Sequence, residues 1–178
     1  MWSTPSGPRR RQRTPNFGST SKALGNRRDV SGDLSIHEPS VRIADVDDAL
    51  ELARLLSLLG YPVAKEAISE RWIPWGTEGN LALVVQGNRG LMGAITLHRM
   101  TVLHRPQPVG RITSLIVDSP SRGRGFGRAL LSSAEKAMAH AGCGLLEVTS
   151  HARFATAHDF YRHLGYEQTS LRFVKDLV

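Results

Sequence analysis

From residue 41 onward, the apolar positions of this chain fall into short blocks whose spacing alternates between extended and helical. Val41-Arg42-Ile43-Ala44 reads as an opening strand. Asp45 or Asp47 suits an N-cap ahead of Leu50, Leu52, Ala53, Leu55, Leu56 and Leu59, a stripe at helical intervals. Gly60-Tyr61-Pro62 breaks that helix, and Val63–Ile73 predicts a second one ending before Pro74. Leu81–Val85 and Leu91–Leu97 have the length and composition of strands, and Gly87-Asn88-Arg89-Gly90 supplies their hairpin turn. A loop holding Pro106 and Pro108 leads into a further strand, Arg111–Val117. Leu130, Leu131, Ala134, Ala137, Met138 and Ala141 give the segment Ala129–Ala141 one apolar helical face. Gly144–Thr149 reads as a short buried strand, and Ser170–Val178 as a last one.

Between the strand Arg111–Val117 and the helix after it lies Arg122-Gly123-Arg124-Gly125-Phe126-Gly127-Arg128. A strand that runs through a glycine-rich turn into a helix makes an anion site. The glycines let backbone N–H groups approach a phosphate, and the first helical turn leaves its own donors unpaired. Three arginines add positive charge there, so the expected ligand carries phosphates. The dinucleotide fingerprint needs G-x-G-x-x-G, whereas the glycines here read G-x-G-x-G. A Walker loop ends in G-K-[ST], but Gly127 is followed by Arg128-Ala129.

What remains, Arg122-x-x-Gly125-x-Gly127 after Ile112-Thr113-Ser114-Leu115-Ile116-Val117-Asp118, resembles the GNAT superfamily of acetyl-CoA-dependent N-acetyltransferases. Their signature loop reads Gln/Arg-x-x-Gly-x-Gly/Ala. Further on, Ala157-His158-Asp159-Phe160-Tyr161-Arg162-His163-Leu164-Gly165-Tyr166 is similar to the family's A-x-x-FY-x-x-LG-[FY] ending. The resemblance covers Val41–Val178 and implies a mixed α/β sheet flanked by helices in the order β-α-α-β-β-β-α-β-α-β-β. It implies acetyl transfer from acetyl-CoA to a primary amine of a small molecule or protein, by direct attack in a ternary complex.

The resemblance also distributes roles. Gly123, Arg124, Gly125, Gly127 and Arg128 would hold the coenzyme pyrophosphate through their N–H groups, with the Arg122 guanidinium beside them. Main-chain groups of Leu115 and Val117, flanking Ile116, would pair with the pantetheine arm as an added strand. Tyr161 would be the general acid, because a neutral phenol can protonate a leaving thiolate. Phe154 stands where many relatives place a cofactor-binding asparagine, with Arg153 beside it. Some relatives use a glutamate base on the central strand, but the matching position here is Arg111. The candidates for the base are therefore Glu147, His98, His104 or a relayed water. The remaining histidines show no Cys or carboxylate pattern that argues for a metal.

Composition narrows the class further. The apolar set is 40%, and 17 glycines bring it to about half, a globular value. No apolar run approaches the roughly 20 residues that span a bilayer, and Arg9-Arg10-Arg11-Gln12-Arg13 has no apolar block after it. The single cysteine, Cys143, cannot form an internal disulfide and fits a reducing cytoplasm. Residues 1–40 hold seven Lys/Arg against three Asp/Glu, and residues 41–178 hold sixteen against thirteen. The first 40 residues thus read as a basic, disordered extension of the acetyltransferase domain at 41–178. That extension supplies the alternative reading, a non-catalytic acyl-CoA-binding or nucleic-acid-associated module. For the domain itself nucleic acid is not the expected partner, whereas a homodimer is compatible with it.

Overall fold

A computed structural model describes residues 39–88 and 90–177; residues 1–38, which hold almost all of the basic extension, lie outside the described residues. Five strands form one sheet in sequence order: β1 (Val41–Ile43), β2 (Asn80–Gly87), β3 (Gly90–Met100), β4 (Val109–Val117) and β5 (Leu145–Val148). Neighbours pair antiparallel except β4 and β5, which are parallel and need the crossover helix between them. Four helices flank the sheet: α1 (Ala49–Ser57), α2 (Lys65–Thr77), α3 (Phe126–His140) and α4 (Ala155–His163).

Alternation along the strands splits the core into two layers. Leu83, Val85, Ile95, Leu97 and Ile112 turn to one face and bury against Leu130, Leu131, Ala134 and Met138 of α3. Ala82, Val84, Ala94 and Ile116 turn to the other, where they meet Leu52 and Leu55 of α1. Trp72 and Trp75 of α2, with ring centroids 5.7 Å apart, close that second layer from outside.

Asp45 is the cap the sequence allowed. Its side chain accepts from the Asp47 N–H at 2.9 Å, while Asp48 accepts from the Asp45 N–H at 3.0 Å, and the resulting turn feeds α1. Asp48 also takes both terminal nitrogens of Arg42 at 2.7 Å, which holds its carboxyl below the ordinary range and ties α1 to β1.

Three expectations need correction. α2 does not stop before Pro74 but carries it inside and runs to Thr77. A proline removes only one ladder bond, and here it falls in the last turn, where carbonyls find other donors. The Thr77 hydroxyl donates to the Pro74 carbonyl at 2.8 Å, and the Asn80 amide to that of Trp75 at 2.7 Å. α3 begins at Phe126 rather than Ala129, inside the glycine-rich turn. Finally, among the described residues the two closing strands are not formed, so the order is β-α-α-β-β-β-α-β-α. Residues 170–177 pair with nothing, and Leu171, Phe173 and Leu177 are 78%, 89% and 88% exposed. A strand gains its stability from a partner ladder and a buried face. The adjacent Phe173-Val174 pair breaks the alternation that would give this segment one such face.

Candidate active site

β5 pairs with β4 only from Val109↔Leu145 to Ile112↔Val148, while β4 continues to Val117. Beyond Ile112 the backbone of β4 is therefore open on the β5 side, over about 17 Å at the rise of an extended chain. The sequence could not reveal this gap. On the other side β3 stays paired along this stretch, with one bulge at Thr113. Leu115 and Val117 turn their side chains to the α3 layer and Ile116 to the α1 layer. Their main-chain groups are left as what the gap presents.

The glycine-rich turn stands at the outer end of that gap. The Asp118 N–H donates to the Met92 carbonyl at 2.8 Å, and Arg54 of α1 grips the same residue, its Nη1 3.0 Å from the Asp118 carboxylate. Arg54 Nη2 also reaches the Leu91 carbonyl at 2.7 Å and Glu51 at 3.0 Å, so one side chain ties α1, β3 and the end of β4. A short 3₁₀ turn, Ser119–Ser121, follows, and Gly123 and Gly125 adopt φ of +74° and +84°. Among the described residues no backbone N–H from Gly123 to Arg128 donates to a protein group; the first that does is Ala129, to the Gly125 carbonyl at 3.0 Å. Phe126, Gly127 and Arg128 are the unpaired first turn of α3, which makes the earlier helix start functionally relevant. Of the arginines, Arg122 donates to the Val117 carbonyl at 3.2 Å, and Arg124 lies 5.3 Å from the centre of the Phe126 ring. Arg128 is exposed.

α4 brings Tyr161 to the same region. A Cβ added to Gly127 would lie 3.4 Å from the Phe160 ring and 3.7 Å from Val117, so Phe160 seats α4 on the junction of loop and strand. Tyr161 packs edge-on to Phe160 at 5.4 Å and against Tyr166 at 5.7 Å, on the same core layer as Leu115 and Val117. Burial pushes the Tyr161 phenol above its ordinary pKa, so it is protonated at neutral pH. Tyr166 is raised further, by burial and then by Glu135, to whose carboxylate its hydroxyl donates at 3.2 Å. Phe154 occupies the N-cap of α4, where it makes no capping bond, and the Arg153 guanidinium lies 4.9 Å from its ring centre.

Past the inner end of the gap, a polar row crosses the sheet. Asn80, His98, Arg111 and Glu147 are successive register partners on β2, β3, β4 and β5. His98 Nδ1 is 3.0 Å from the Asn80 side-chain oxygen, and Arg111 Nε donates to Glu147 Oε1 at 2.7 Å. Toward the gap, a bulge sets Thr113 and Ser114 together against Thr96, whose hydroxyl is 2.7 Å from that of Thr113. Of the base candidates, Glu147 is thus ion-paired, His98 is held by Asn80, and His104 is exposed in the loop before β4. Among the described residues no group of His, Cys, Asp and Glu is arranged to hold a metal.

Sequence reading missed the Arg54 clamp, the Arg111–Glu147 pair and the hydroxyl trio. Strand register brings together the Arg111–Glu147 pair and the hydroxyl trio, and the packing of α1 on the sheet brings Arg54 to Asp118 and Leu91.

The site is thus a mixed sheet split at the end of a parallel pair, with a glycine-rich turn at the mouth of the split. The chain belongs to the Acetyltransferase (GNAT) family, whose pattern matches residues 49–166. It is 30% identical over 154 residues to the aminoalkylphosphonate N-acetyltransferase of Salmonella typhimurium, spanning 86% of this chain and 98% of that one. In fold it is similar to an acetyltransferase of Trypanosoma brucei, with TM-score 0.68 and 22% identity over 79% of this chain and 100% of that chain. Glucosamine-6-phosphate N-acetyltransferase of Arabidopsis thaliana aligns with TM-score 0.69 and 17% identity, over 80% of this chain and all of that one. The protein is an acyltransferase that moves an acetyl group to an acceptor amine.

Proposed function

We propose that residues 41–178 form the catalytic domain and acetylate a small primary amine by direct attack within a ternary complex with acetyl-CoA. The observation that carries this is the open flank of β4, bounded by unpaired N–H groups at one end and the polar row at the other. The N–H groups of Gly123, Arg124, Gly125, Gly127 and Arg128 hold the diphosphate, with the Arg122 and Arg128 guanidinium groups beside it. Leu115 and Val117 pair through their main chain with the pantetheine arm and so fix where the thioester lies. Tyr161, neutral because buried, gives its proton to the departing thiolate. The bulge hydroxyls and the polar row face the acceptor, and an aminoalkylphosphonate, the substrate in the Salmonella relative's name, is the acceptor to test first. The compartment we infer is the cytoplasm, on the lone Cys143.

The test is thiol release by the full chain with acetyl-CoA and a panel of primary amines. Tyr161→Phe should lower kcat by about 10²-fold while calorimetry gives an unchanged acetyl-CoA Kd. An unchanged kcat in that variant removes Tyr161 as the acid.

A further inference from the structure

We infer that Arg111 and Glu147 form a separable ion pair that selects an acceptor amine carrying its own anion, and that this anion releases Glu147 to take the amine's proton. The inference rests on the acceptor reading above and adds the feature by which an acceptor is recognised.

The pair stands one register step inside Ile112↔Val148, the last partners before β4 and β5 part, so it closes the inner end of the gap. Both side chains are about half exposed, at 45% for Arg111 and 41% for Glu147, and so within reach of a solute. Along this row the other polar groups are already matched: His98 with Asn80, and Asn80 in turn with the Trp75 carbonyl. Arg111 and Glu147 make the one contact here between opposite full charges, and an exposed pair of this kind is held weakly against a better partner. A phosphonate or phosphate offers a guanidinium two or three oxygens in the geometry it binds best. A small amine bearing such a group is a zwitterion, and its two charges match the two charges of the pair.

The exchange has a chemical consequence. While Glu147 is paired to Arg111, its carboxylate is occupied by the guanidinium. When the acceptor's anion takes Arg111, the Glu147 carboxylate is left to face the acceptor's ammonium. Glu147 then takes one proton from the ammonium. The freed nitrogen lone pair forms the C–N bond at the acetyl carbonyl carbon, the C–S bond breaks, Tyr161 protonates the thiolate, and the second proton leaving the nitrogen restores the Tyr161 phenol. A neutral-tailed amine leaves the pair closed and is acetylated poorly.

Aminoethylphosphonate and the neutral aminopropanol separate the alternatives. In the unmodified full chain, kcat/KM should favour the phosphonate by about tenfold or more, the scale of a charge-assisted contact. Arg111→Gln should bring the ratio toward unity, Arg111→Lys should restore part of it, and acetyl-CoA affinity should stay within about twofold in both. Calorimetry of aminoethylphosphonate into the CoA-saturated protein reads the same contact without turnover. Its Kd should rise about tenfold or more in Arg111→Gln. An unchanged selectivity ratio or an unchanged Kd in that variant overturns the inference. Weakened phosphonate binding with no thiol released from any amine would instead retain the anion site and sink the acetyl-transfer reading. Glu147→Gln should keep or tighten phosphonate binding while lowering kcat; an undiminished kcat removes the proton step.

Discussion

The loop glycines differ in what they do, although the chain writes them as one run. Gly125 sits at φ +84°, in the left-handed region, with nothing within 4 Å of where a Cβ would stand. Its constraint is torsional, and a side chain there costs about 1–2 kcal/mol. Gly127 has ordinary helical backbone, and its added Cβ would make ordinary contacts with Phe160 and Val117. That contrast explains why the family signature tolerates alanine at the final position and not at the earlier one. Gly125→Ala should therefore melt below the unmodified protein and bind acetyl-CoA more weakly. Gly127→Ala should melt at or above it, because alanine is favoured over glycine inside a helix by about 1 kcal/mol. Thermal melts of both variants check the ranking, and a lower melt for Gly127→Ala than for Gly125→Ala contradicts it. At this scale the sequence was partly informative: the glycine-rich turn does join β4 to a helix, though that helix starts three residues earlier than the spacing suggested, and Tyr161 lies on the helix α4. The partners of Arg111 and Arg54 were hidden, since the first is set by strand register and the second by how α1 packs on the sheet, neither of which is local pattern.

Elements built from strong periodicity were the legible ones. The α1 and α3 stripes and the β2 and β3 runs each bury a face, and the structure extends their bounds by only a few residues. Segments whose state depends on a partner were not legible. Among the described residues, 170–177 carry strand-forming residues but no ladder, and α2 carries Pro74 within its last turn, where Thr77 and Asn80 cap the closing carbonyls. The Arg54 clamp matters at this scale because it links α1, β3 and, at Asp118, the approach to the glycine-rich turn. Its carboxylate partners are partly exposed and contribute little each, whereas the bond to the Leu91 carbonyl is partly buried. Arg54→Ala should lower stability by about 1 kcal/mol. It should also weaken acetyl-CoA binding several-fold, because Asp118 would then lose a tether just ahead of the loop. Urea unfolding and calorimetry read the two effects separately. Lost stability with full coenzyme affinity would confine the clamp to holding α1 on the sheet.

At the scale of the domain, the sheet of the described residues is incompletely closed between β4 and β5. β1 to β4 are continuously paired, but β4 and β5 share only the stretch Val109–Ile112, and α4 leans over the gap through Phe160 and Tyr161. A sheet edge left open inside a domain forfeits ladder bonds that a strand-like ligand can restore. Acetyl-CoA should then act as a missing strand as well as a substrate, bound by the folded state and not by the unfolded chain. At a concentration 100 times its Kd it should add about 2.7 kcal/mol to stability, raising the melting midpoint by roughly 8 °C for a domain of this size. Adenosine diphosphate, which offers the diphosphate without the arm, separates the two contributions when each ligand is used at the same concentration. If the gap is filled by main-chain pairing, the diphosphate alone should give clearly less than half of the shift. Equal shifts from the two ligands would mean that the loop after Ser121 carries all the binding and that the open flank of β4 pairs with nothing.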